Sequence, residues 1–299
     1  MKCNNCGANI ADNAKFCGEC GAKVVSGPQG NFKQADEIDY VIYGDDMQLV
    51  EIELDPGESV VAEAGGMTYM EPDIKMDTIF GDGSGTDDGK GLMGKLMGAG
   101  KRVLTGESLF MTSFQNMGPG KSHVAFAAPY PGKIIPVEIK EFGTSLICQK
   151  DAFLCAAKGI SVGIHLNKRI GSGLFGGEGF IMQKLTGDGL AFIHAGGTIV
   201  KKELSPGEVL RLDTGCLVAM SETVNYDVAF AGDIKSGLFG GEGLFLATLT
   251  GPGHVWIQSL PFSRMADRIS KAVGARKGEN PGMNNPMGEI TRGLGDMFK

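Results

Sequence analysis

The chain has 299 residues, 42% of them apolar, and a formal net charge of −7 at pH 7. This composition is that of a globular protein with ample material for a core, and the acidic balance argues against a nucleic-acid partner. No run reaches the roughly 18 apolar residues of a membrane span, and the N-terminus carries no apolar signal region. We therefore expect a cytoplasmic protein that can still contact a membrane peripherally.

Two C-x2-C pairs, Cys3/Cys6 and Cys17/Cys20, are separated by ten residues near the N-terminus. Each pair places two thiolates on one tight turn, and two such turns complete the four ligands of tetrahedral zinc, with iron as the minor alternative. All four ligands are cysteine, so no position remains for a catalytic water. Residues 1–24 are therefore predicted to form a structural zinc ribbon that docks a partner.

The remaining cysteines, Cys148, Cys155 and Cys216, lie in apolar runs and are predicted to be small buried side chains. Residues 25–35 are rich in Ser, Gly and Pro, which is typical of a flexible linker. Residues 36–262 form the predicted main domain, and residues 263–299 form a helical or flexible tail.

Short apolar runs alternate with glycine-rich turns throughout the main domain, and 48 of the 299 residues are glycine. Runs such as Tyr40 to Val50, Ile134 to Ile139 and Leu244 to Leu249 carry the β-branched residues or the alternation of strands. The pattern predicts an all-β domain in which regular helices are almost absent.

Internal repetition divides this domain into three related units. Ser172-Gly-Leu-Phe-Gly-Gly-Glu-Gly179 recurs 64 residues later, and a weaker copy begins at Gly106. Leu54-Asp-Pro-Gly-Glu58 matches Leu204-Ser-Pro-Gly-Glu208, with Lys140-Glu-Phe-Gly-Thr144 as the degenerate middle copy. Three such units predict a compact pseudo-threefold barrel or prism with one shared core, which would also hide sheet edges.

These motifs, with Leu260-Pro-Phe-Ser263, resemble the prokaryotic, domain-of-unknown-function branch of the altered-inheritance-of-mitochondria family (member twenty-four) over about residues 38 to 270. The resemblance implies an all-β fold similar to the tryptophan RNA-binding attenuator protein superfamily, and it is compatible with trimers. It links eukaryotic relatives to mitochondrial inner-membrane organisation and supplies no catalytic residue. Since no mitochondrial presequence is evident, we do not transfer the organellar role.

Equivalent apolar residues occupy one glycine-rich loop in each unit. If the units are related by a threefold axis, these loops share one end of the domain. Exposed tips would suit a protein partner or a membrane surface, whereas inward-pointing tips would plug the barrel end. The candidate surface consists of Leu92, Met93, Leu96, Met97, Leu174, Phe175, Leu238 and Phe239.

Catalysis finds little support, because the four histidines are scattered and no nucleophile elbow is present. Glu107, Glu178 and Glu242 are equivalent across the units. They either converge on a cation or, as carboxylates in turns commonly do, cap backbone amides. We expect no enzyme activity and no cofactor other than zinc.

In the tail, Met265, Ile269 and Val273 follow helical spacing, and Gly274 is predicted to end that helix. Ile290, Leu294, Met297 and Phe298 mark a second short amphipathic stretch. Together these features predict a non-enzymatic, oligomeric scaffold or binding protein with an unknown protein partner. A peripheral membrane protein and an RNA-binding protein are the alternatives.

Overall fold

The structure is a computed structural model of the chain. It describes Ala8, Asn9, Ala11 and residues 18–20, followed by residues 34–63, 65–80, 110–165, 182–230 and 245–276.

The described residues form a mostly β structure of nineteen strands with one C-terminal α-helix. The strands are β1 (Asp39–Tyr43), β2 (Leu49–Leu54), β3 (Ser59–Glu63), β4 (Met67–Met70), β5 (Ile74–Phe80), β6 (Phe110–Asn116), β7 (Ser122–Ala127), β8 (Gly132–Glu138), β9 (Ser145–Gln149), β10 (Phe153–Ala157), β11 (Ser161–His165), β12 (Met182–Thr186), β13 (Leu190–Gly196), β14 (Ile199–Leu204), β15 (Val209–Asp213), β16 (Leu217–Ser221), β17 (Asn225–Phe230), β18 (Phe245–Thr250) and β19 (Gly253–Gln258). The predicted run from Tyr40 to Val50 is divided between β1 and β2, because Gly44 turns the chain with a φ of 85°.

Four antiparallel sheets contain all of these strands. The first sheet has the order β1-β2-β7-β4, and the second has the order β5-β6-β3-β10-β13-β8. The third sheet has the order β11-β12-β9-β16-β19-β14, and the fourth has the order β15-β18-β17. In the described residues, β4 and β15 each pair with another strand on one side only.

The strand order repeats every six strands, in units β2–β7, β8–β13 and β14–β19. In each unit, the fourth, fifth and second strands form one half-sheet, and the third, sixth and first strands form another. The second strand of one unit pairs with the third strand of the next, at β3–β10 and at β9–β16. Each complete six-stranded sheet is therefore shared between two consecutive units.

Two local features recur at equivalent places in all three units. The third strand carries a β-bulge against the sixth strand, after Met67, Phe153 and Leu217 respectively. The turn between the first and second strands holds a glycine at φ of 92°, 100° and 79°, a conformation that favours glycine. The carbonyl of the residue after each of these glycines accepts a backbone hydrogen bond at 3.0, 3.1 and 3.0 Å. The sequence repeat thus corresponds to a repeat of backbone geometry.

Three apolar cores lie between successive sheets, rather than one core shared by all units. On β3, Val60 and Ala62 belong to the core against the first sheet, whereas Val61 belongs to the core against the third. On β9, Leu146 faces the second sheet and Ile147 faces the fourth. Successive side chains point to opposite faces of a strand, so the second and third sheets are buried on both faces.

The C-terminal helix, α1 (Phe262–Arg276), belongs to a separate compact unit that begins at Pro261. The prediction that Gly274 ends this helix is wrong, because the helix continues for two further residues. An interior glycine costs a helix only about 1 kcal/mol, and the two residues after this one, Ala275 and Arg276, are good helix formers. None of the helices in the described residues has the length and apolarity needed to cross a bilayer.

Candidate functional site

The three glycine-rich loops connect the fourth and fifth strands of their units. They span residues 81–109, 166–181 and 231–244, and each joins an antiparallel pair of strands. The loops themselves lie outside the described residues. The predicted surface residues Leu92, Met93, Leu96, Met97, Leu174, Phe175, Leu238 and Phe239 therefore also lie outside them, as do Glu107, Glu178 and Glu242.

A side-chain hydrogen bond joins the bases of the first and second loops. Gln183 Nε2, one residue after the start of β12, donates to Glu63 Oε1 at 2.8 Å. Glu63 ends β3 and lies opposite Met111, which follows the first residue of β6. The first and second loops therefore leave the β structure next to each other.

A second hydrogen bond joins the bases of the second and third loops. Gln149 Nε2 donates to the carbonyl oxygen of Thr214 at 2.9 Å. Gln149 lies opposite Met182, the first residue of β12, and Thr214 follows Asp213, which lies opposite Leu246 near the start of β18. All three loop bases consequently lie at one end of the β structure, which we call the loop end.

Polar groups at the loop end are only partly paired. Burial raises the pKa of the Glu63 carboxyl, while the hydrogen bond from Gln183 and the charge of Lys150 oppose that change. Gln183 is fully buried, and its Oε1 has no hydrogen-bond partner. Protonation of Glu63 would supply a hydrogen-bond donor for that oxygen.

The chain from the predicted zinc ribbon enters the β structure at the opposite end. Asp36 accepts a hydrogen bond from the Ser59 amide at 2.9 Å, and Ser59 begins the strand that Glu63 ends. The Ala35 amide donates to Asp188 Oδ1 at 3.0 Å. Ser59 and Glu63 are four residues apart on β3, so at about 3.3 Å per residue the entry point and the loop end are separated by about 13 Å.

Close packing fixes this entry point. Ala35 is buried, and a Cβ atom added to Gly189 would lie 2.4 Å from its methyl group. A Cβ atom added to Gly159 would lie 2.7 Å from the Ala35 Cα. The two glycines therefore provide the space in which the incoming chain docks.

Of the four predicted zinc ligands, Cys20 lies in the described residues and is exposed. Cys3, Cys6 and Cys17 lie outside them. The donor set of four thiolates in two C-x2-C pairs suits tetrahedral zinc and would fold the ribbon around it. The prediction of buried side chains is confirmed for Cys148 and Cys155, which are fully buried with the pKa of both thiols raised by burial, and is wrong for Cys216, which is only half-buried.

The outer face of the first sheet carries a polar network that the sequence analysis missed. His123 Nδ1 lies 3.1 Å from Glu71 Oε2, and its Nε2 lies 3.3 Å from Glu53 Oε2. Lys121 also pairs with Glu53. Partial burial disfavours protonation of His123, but the Glu71 hydrogen bond and the neighbouring Glu51 and Glu53 carboxylates outweigh it and raise the histidine pKa.

Glu51 lies at the centre of the same face and accepts hydrogen bonds from the hydroxyls of Tyr43 and Tyr69. The bond to Glu51 raises the pKa of Tyr69 to about 12. The sequence of β2 indicates this face, because Glu51 and Glu53 alternate with Val50 and Ile52, which are buried. We call Glu51, Glu53, Glu71, Tyr69 and His123 the acidic face.

Comparison with known proteins agrees with this architecture. The family model described as mitochondrial biogenesis AIM24 matches residues 40–260, and a zinc-ribbon domain model matches residues 2–24. The chain belongs to the AIM24 family. The AIM24-family chain is 32% identical over 226 residues to the uncharacterized protein M6_Spy0233 of Streptococcus pyogenes serotype M6, covering 75% of this chain and 86% of that protein.

A solved structure supports the fold of the AIM24-family chain. The crystal structure of protein SPYM3_0169 from Streptococcus pyogenes matches it with a TM-score of 0.62 at 24% sequence identity. The match covers 79% of this chain and all of the crystallised chain. At this level of identity the likeness concerns the fold alone.

Proposed function

We propose that the chain is a non-enzymatic, oligomeric scaffold that binds one partner through its zinc ribbon and a second surface through its three loops. The observation that supports this function is the separation of the two elements. The Glu63–Gln183 and Gln149–Thr214 hydrogen bonds gather the loop bases at one end, whereas Ala35 and Asp36 enter at the other. Such an arrangement suits a protein that holds two binding partners apart.

The proposed scaffold has four segments. They are a structural zinc ribbon at residues 1–24, a flexible linker at residues 25–35, a three-unit β domain at residues 36–262 and a tail at residues 263–299. Within the β domain, the repeated bulges and turn glycines support a pseudo-threefold relation among the units, similar to the tryptophan RNA-binding attenuator protein superfamily. The relation would give the three loops equivalent positions around one axis.

Zinc has a structural role in this proposal. Cys3, Cys6, Cys17 and Cys20 would hold it, and four thiolates leave no open coordination position at the metal. The ribbon would therefore present a folded surface to its partner rather than perform chemistry.

Membrane association is the second candidate function, and the gathering of the three loop bases at one end favours it, since the loops carry apolar Leu, Met or Phe residues. Several apolar tips on one end can enter an interface together, which adds their separate contributions. RNA binding receives less support, because the described surface includes the acidic face, and carboxylates repel phosphates.

A capture experiment with the full-length chain tests the scaffold. Three variants are compared with the wild type, namely Phe175→Ser combined with Phe239→Ser, Cys17→Ser, and the control Met117→Ser. Met117 is an exposed apolar residue at the end of β6 away from the loops. We expect the loop variant and the ribbon variant to lose different co-purified proteins, and the control to lose none. Identical profiles for all variants would contradict the scaffold function.

Flotation with liposomes tests membrane association through the loops. Vesicles containing anionic lipid should carry the wild type and Met117→Ser upward but leave the loop variant behind. If the intact wild-type chain does not float, membrane contact through the loops is excluded.

A further inference from the structure

The C-terminal helix α1 has one apolar face. Its apolar residues recur at the three- and four-residue spacing that places side chains on the same side of a helix. At about 100° per residue they lie within an arc of about 120°. This arc consists of Phe262, Met265, Ala266, Ile269, Ala272 and Val273.

Most of this face is exposed to solvent. Phe262, Ile269 and Val273 are 50%, 56% and 64% exposed, although large apolar side chains are more often buried. A helix of 15 residues is only marginally stable in water, and most helices in proteins are stabilised by packing of their apolar face. A surface that covers this face would therefore stabilise α1.

The other side of α1 is basic. Arg264, Arg268 and Lys271 lie there within an arc of about 60° of one another. The helix as a whole contains four basic residues and one acidic residue, which gives it a net charge of +3 in a chain of net charge −7. The remainder of the chain therefore carries −10, and α1 is a basic segment attached to an acidic protein.

We infer that α1 binds the surface of an anionic lipid bilayer, with the helix axis parallel to the bilayer plane. A helix with apolar residues on one side and Lys or Arg on the other lies at the boundary between the headgroups and the acyl chains. The apolar side chains would enter the acyl region, and the long basic side chains would extend to the headgroup phosphates. Anionic headgroups attract the basic helix and repel the acidic remainder of the chain, so charge selects α1 as the contact.

The shape of the apolar face favours a bilayer over a groove on a protein. A helix that binds in a groove inserts bulky side chains into separate pockets. On α1, Ala266 and Ala272 border the face on its two sides, so the apolar surface is shallow and continuous. Such a surface suits a fluid interface, which needs no matching pockets. The helix lacks the length and apolarity to cross the bilayer, which agrees with binding at its surface.

This inference goes beyond the scaffold function, which requires no lipid. It also concerns a different element from the three loops, whose contact with membranes is tested by flotation of the loop variant. The helix therefore needs an experiment that reports on α1 alone.

Tryptophan fluorescence of the full-length chain provides such a report. The chain contains one tryptophan, Trp256, which is buried, so a tryptophan added to α1 gives a separate signal. Ile269→Trp places the indole at the centre of the apolar face. Ser263→Trp is the matched control, because this exposed position lies about 120° away around the same helix. Melting curves equal to that of the wild type establish that each variant is folded.

Vesicles of phosphatidylcholine with and without anionic phosphatidylglycerol are the probes. With the anionic vesicles, we expect the emission of Ile269→Trp to shift to shorter wavelength as the indole leaves water, and that of Ser263→Trp to stay unchanged. Adding Arg268→Gln and Lys271→Gln to Ile269→Trp should weaken binding about 25-fold, because each basic residue near an anionic surface contributes a factor of about five.

Three results would overturn the inference. The absence of a shift for Ile269→Trp at every concentration of anionic vesicles would exclude binding of α1 to the bilayer. Equal shifts for Ile269→Trp and Ser263→Trp would mean that the apolar face is not the contact. Equal binding to vesicles with and without phosphatidylglycerol would mean that the basic residues do not select the surface.

The outcome is separable from the other two proposals. The scaffold function is tested by protein capture without lipid, so its failure leaves the fluorescence shift unaffected. The shift of Ile269→Trp should also persist when Phe175→Ser and Phe239→Ser are added, because it depends on α1 and not on the loops. Loss of the shift in that combined variant would assign the membrane contact to the loops and would contradict binding by the helix.

Discussion

The partly paired Glu63–Gln183 contact makes Glu63→Gln a sharp test of the loop end. In the wild type, burial disfavours the Glu63 carboxylate, and Gln183 Oε1 lacks a donor. A glutamine at position 63 keeps the acceptor for Gln183 Nε2 and adds an amide that can donate to this orphan oxygen. We therefore expect Glu63→Gln to stabilise the protein at pH 7.

The size of the effect follows from one new hydrogen bond and one satisfied buried oxygen. A net hydrogen bond contributes about 1 kcal/mol, and a buried unpaired polar atom costs about 1–3 kcal/mol, so we expect a gain of about 1–2 kcal/mol. For a chain of this size each kcal/mol raises Tm by about 2–4 °C. Conversely, Gln183→Ala removes the donor from the half-buried Glu63 carboxylate and should cost about 1.5–3 kcal/mol.

The pH dependence follows from the raised pKa of Glu63. When the pKa of an acidic group is higher in the folded than in the unfolded protein, the protein loses stability as pH rises from the lower to the higher of these two pKa values. Below both values Glu63 is protonated in either state and can itself donate to Gln183. The advantage of Glu63→Gln should therefore be full at pH 7 and should shrink toward zero near pH 4.

Urea unfolding at pH 7 and pH 4, followed by fluorescence of Trp256, measures this difference. Gln115→Ala is the control, because the side-chain hydrogen bond of Gln115 to the Gly57 carbonyl is exposed and lies away from the loop end. A variant less stable than the wild type at pH 7, or a difference independent of pH, would refute the reasoning. The first result would mean that a partner at this end stabilises the Glu63 charge, and the second that the pKa of Glu63 is the same in the folded and unfolded protein.

Three further predictions concern other parts of the chain. Asn116 is buried and makes three hydrogen bonds, to Leu54, Gly118 and Gly120, so Asn116→Ala should cost about 3 kcal/mol in urea unfolding, at about 1 kcal/mol for each bond. The raised pKa of His123 predicts stability that is full below its unfolded pKa of about 6.5 and is lost as pH rises through the folded pKa. His123→Gln should flatten that slope between pH 5.5 and 8.5. Elemental analysis should find one zinc per wild-type chain, and Cys17→Ser should lose zinc while Cys216→Ser keeps it.

Each of these predictions has a clear contrary result. A loss below about 1 kcal/mol for Asn116→Ala would mean that water replaces the side chain at its partners. If the stability of His123→Gln depends on pH as steeply as that of the wild type, another group causes this pH dependence. Full zinc content in Cys17→Ser would exclude this residue as a ligand.

Because of the sequence repeat, the positions of two strands in the second unit predict the positions of their counterparts in the third. The 64-residue offset carries β9 onto β15 and β10 onto β16 without a shift in either boundary. Alternation and β-branched residues also located strands such as β8 and β18. These strands could be located because alternation and β-branched residues are properties of the local sequence alone.

The pairing of β3 with β10 was not predictable in the same way. It joins residues about 95 positions apart, and nothing in either strand distinguishes a partner in its own unit from one in the next. The expectation of a single shared core failed for this reason, because apolar residues on both faces of β3 indicate burial but not which sheets cover it. The acidic face was readable from the alternation of β2, but its histidine comes from β7 and depends on tertiary pairing.

Exchange of strands between consecutive units also governs how the protein is made. As the polypeptide emerges from the ribosome, β3 can pair with β6 early, but its other edge stays open until β10 has been synthesised. Such long-range pairing slows folding and leaves an unpaired strand edge, which can bind other chains, exposed during translation. Nascent chains on neighbouring ribosomes could exchange β10 at that stage, so the rate of synthesis across residues 60–157 bears directly on whether each molecule completes its own sheets.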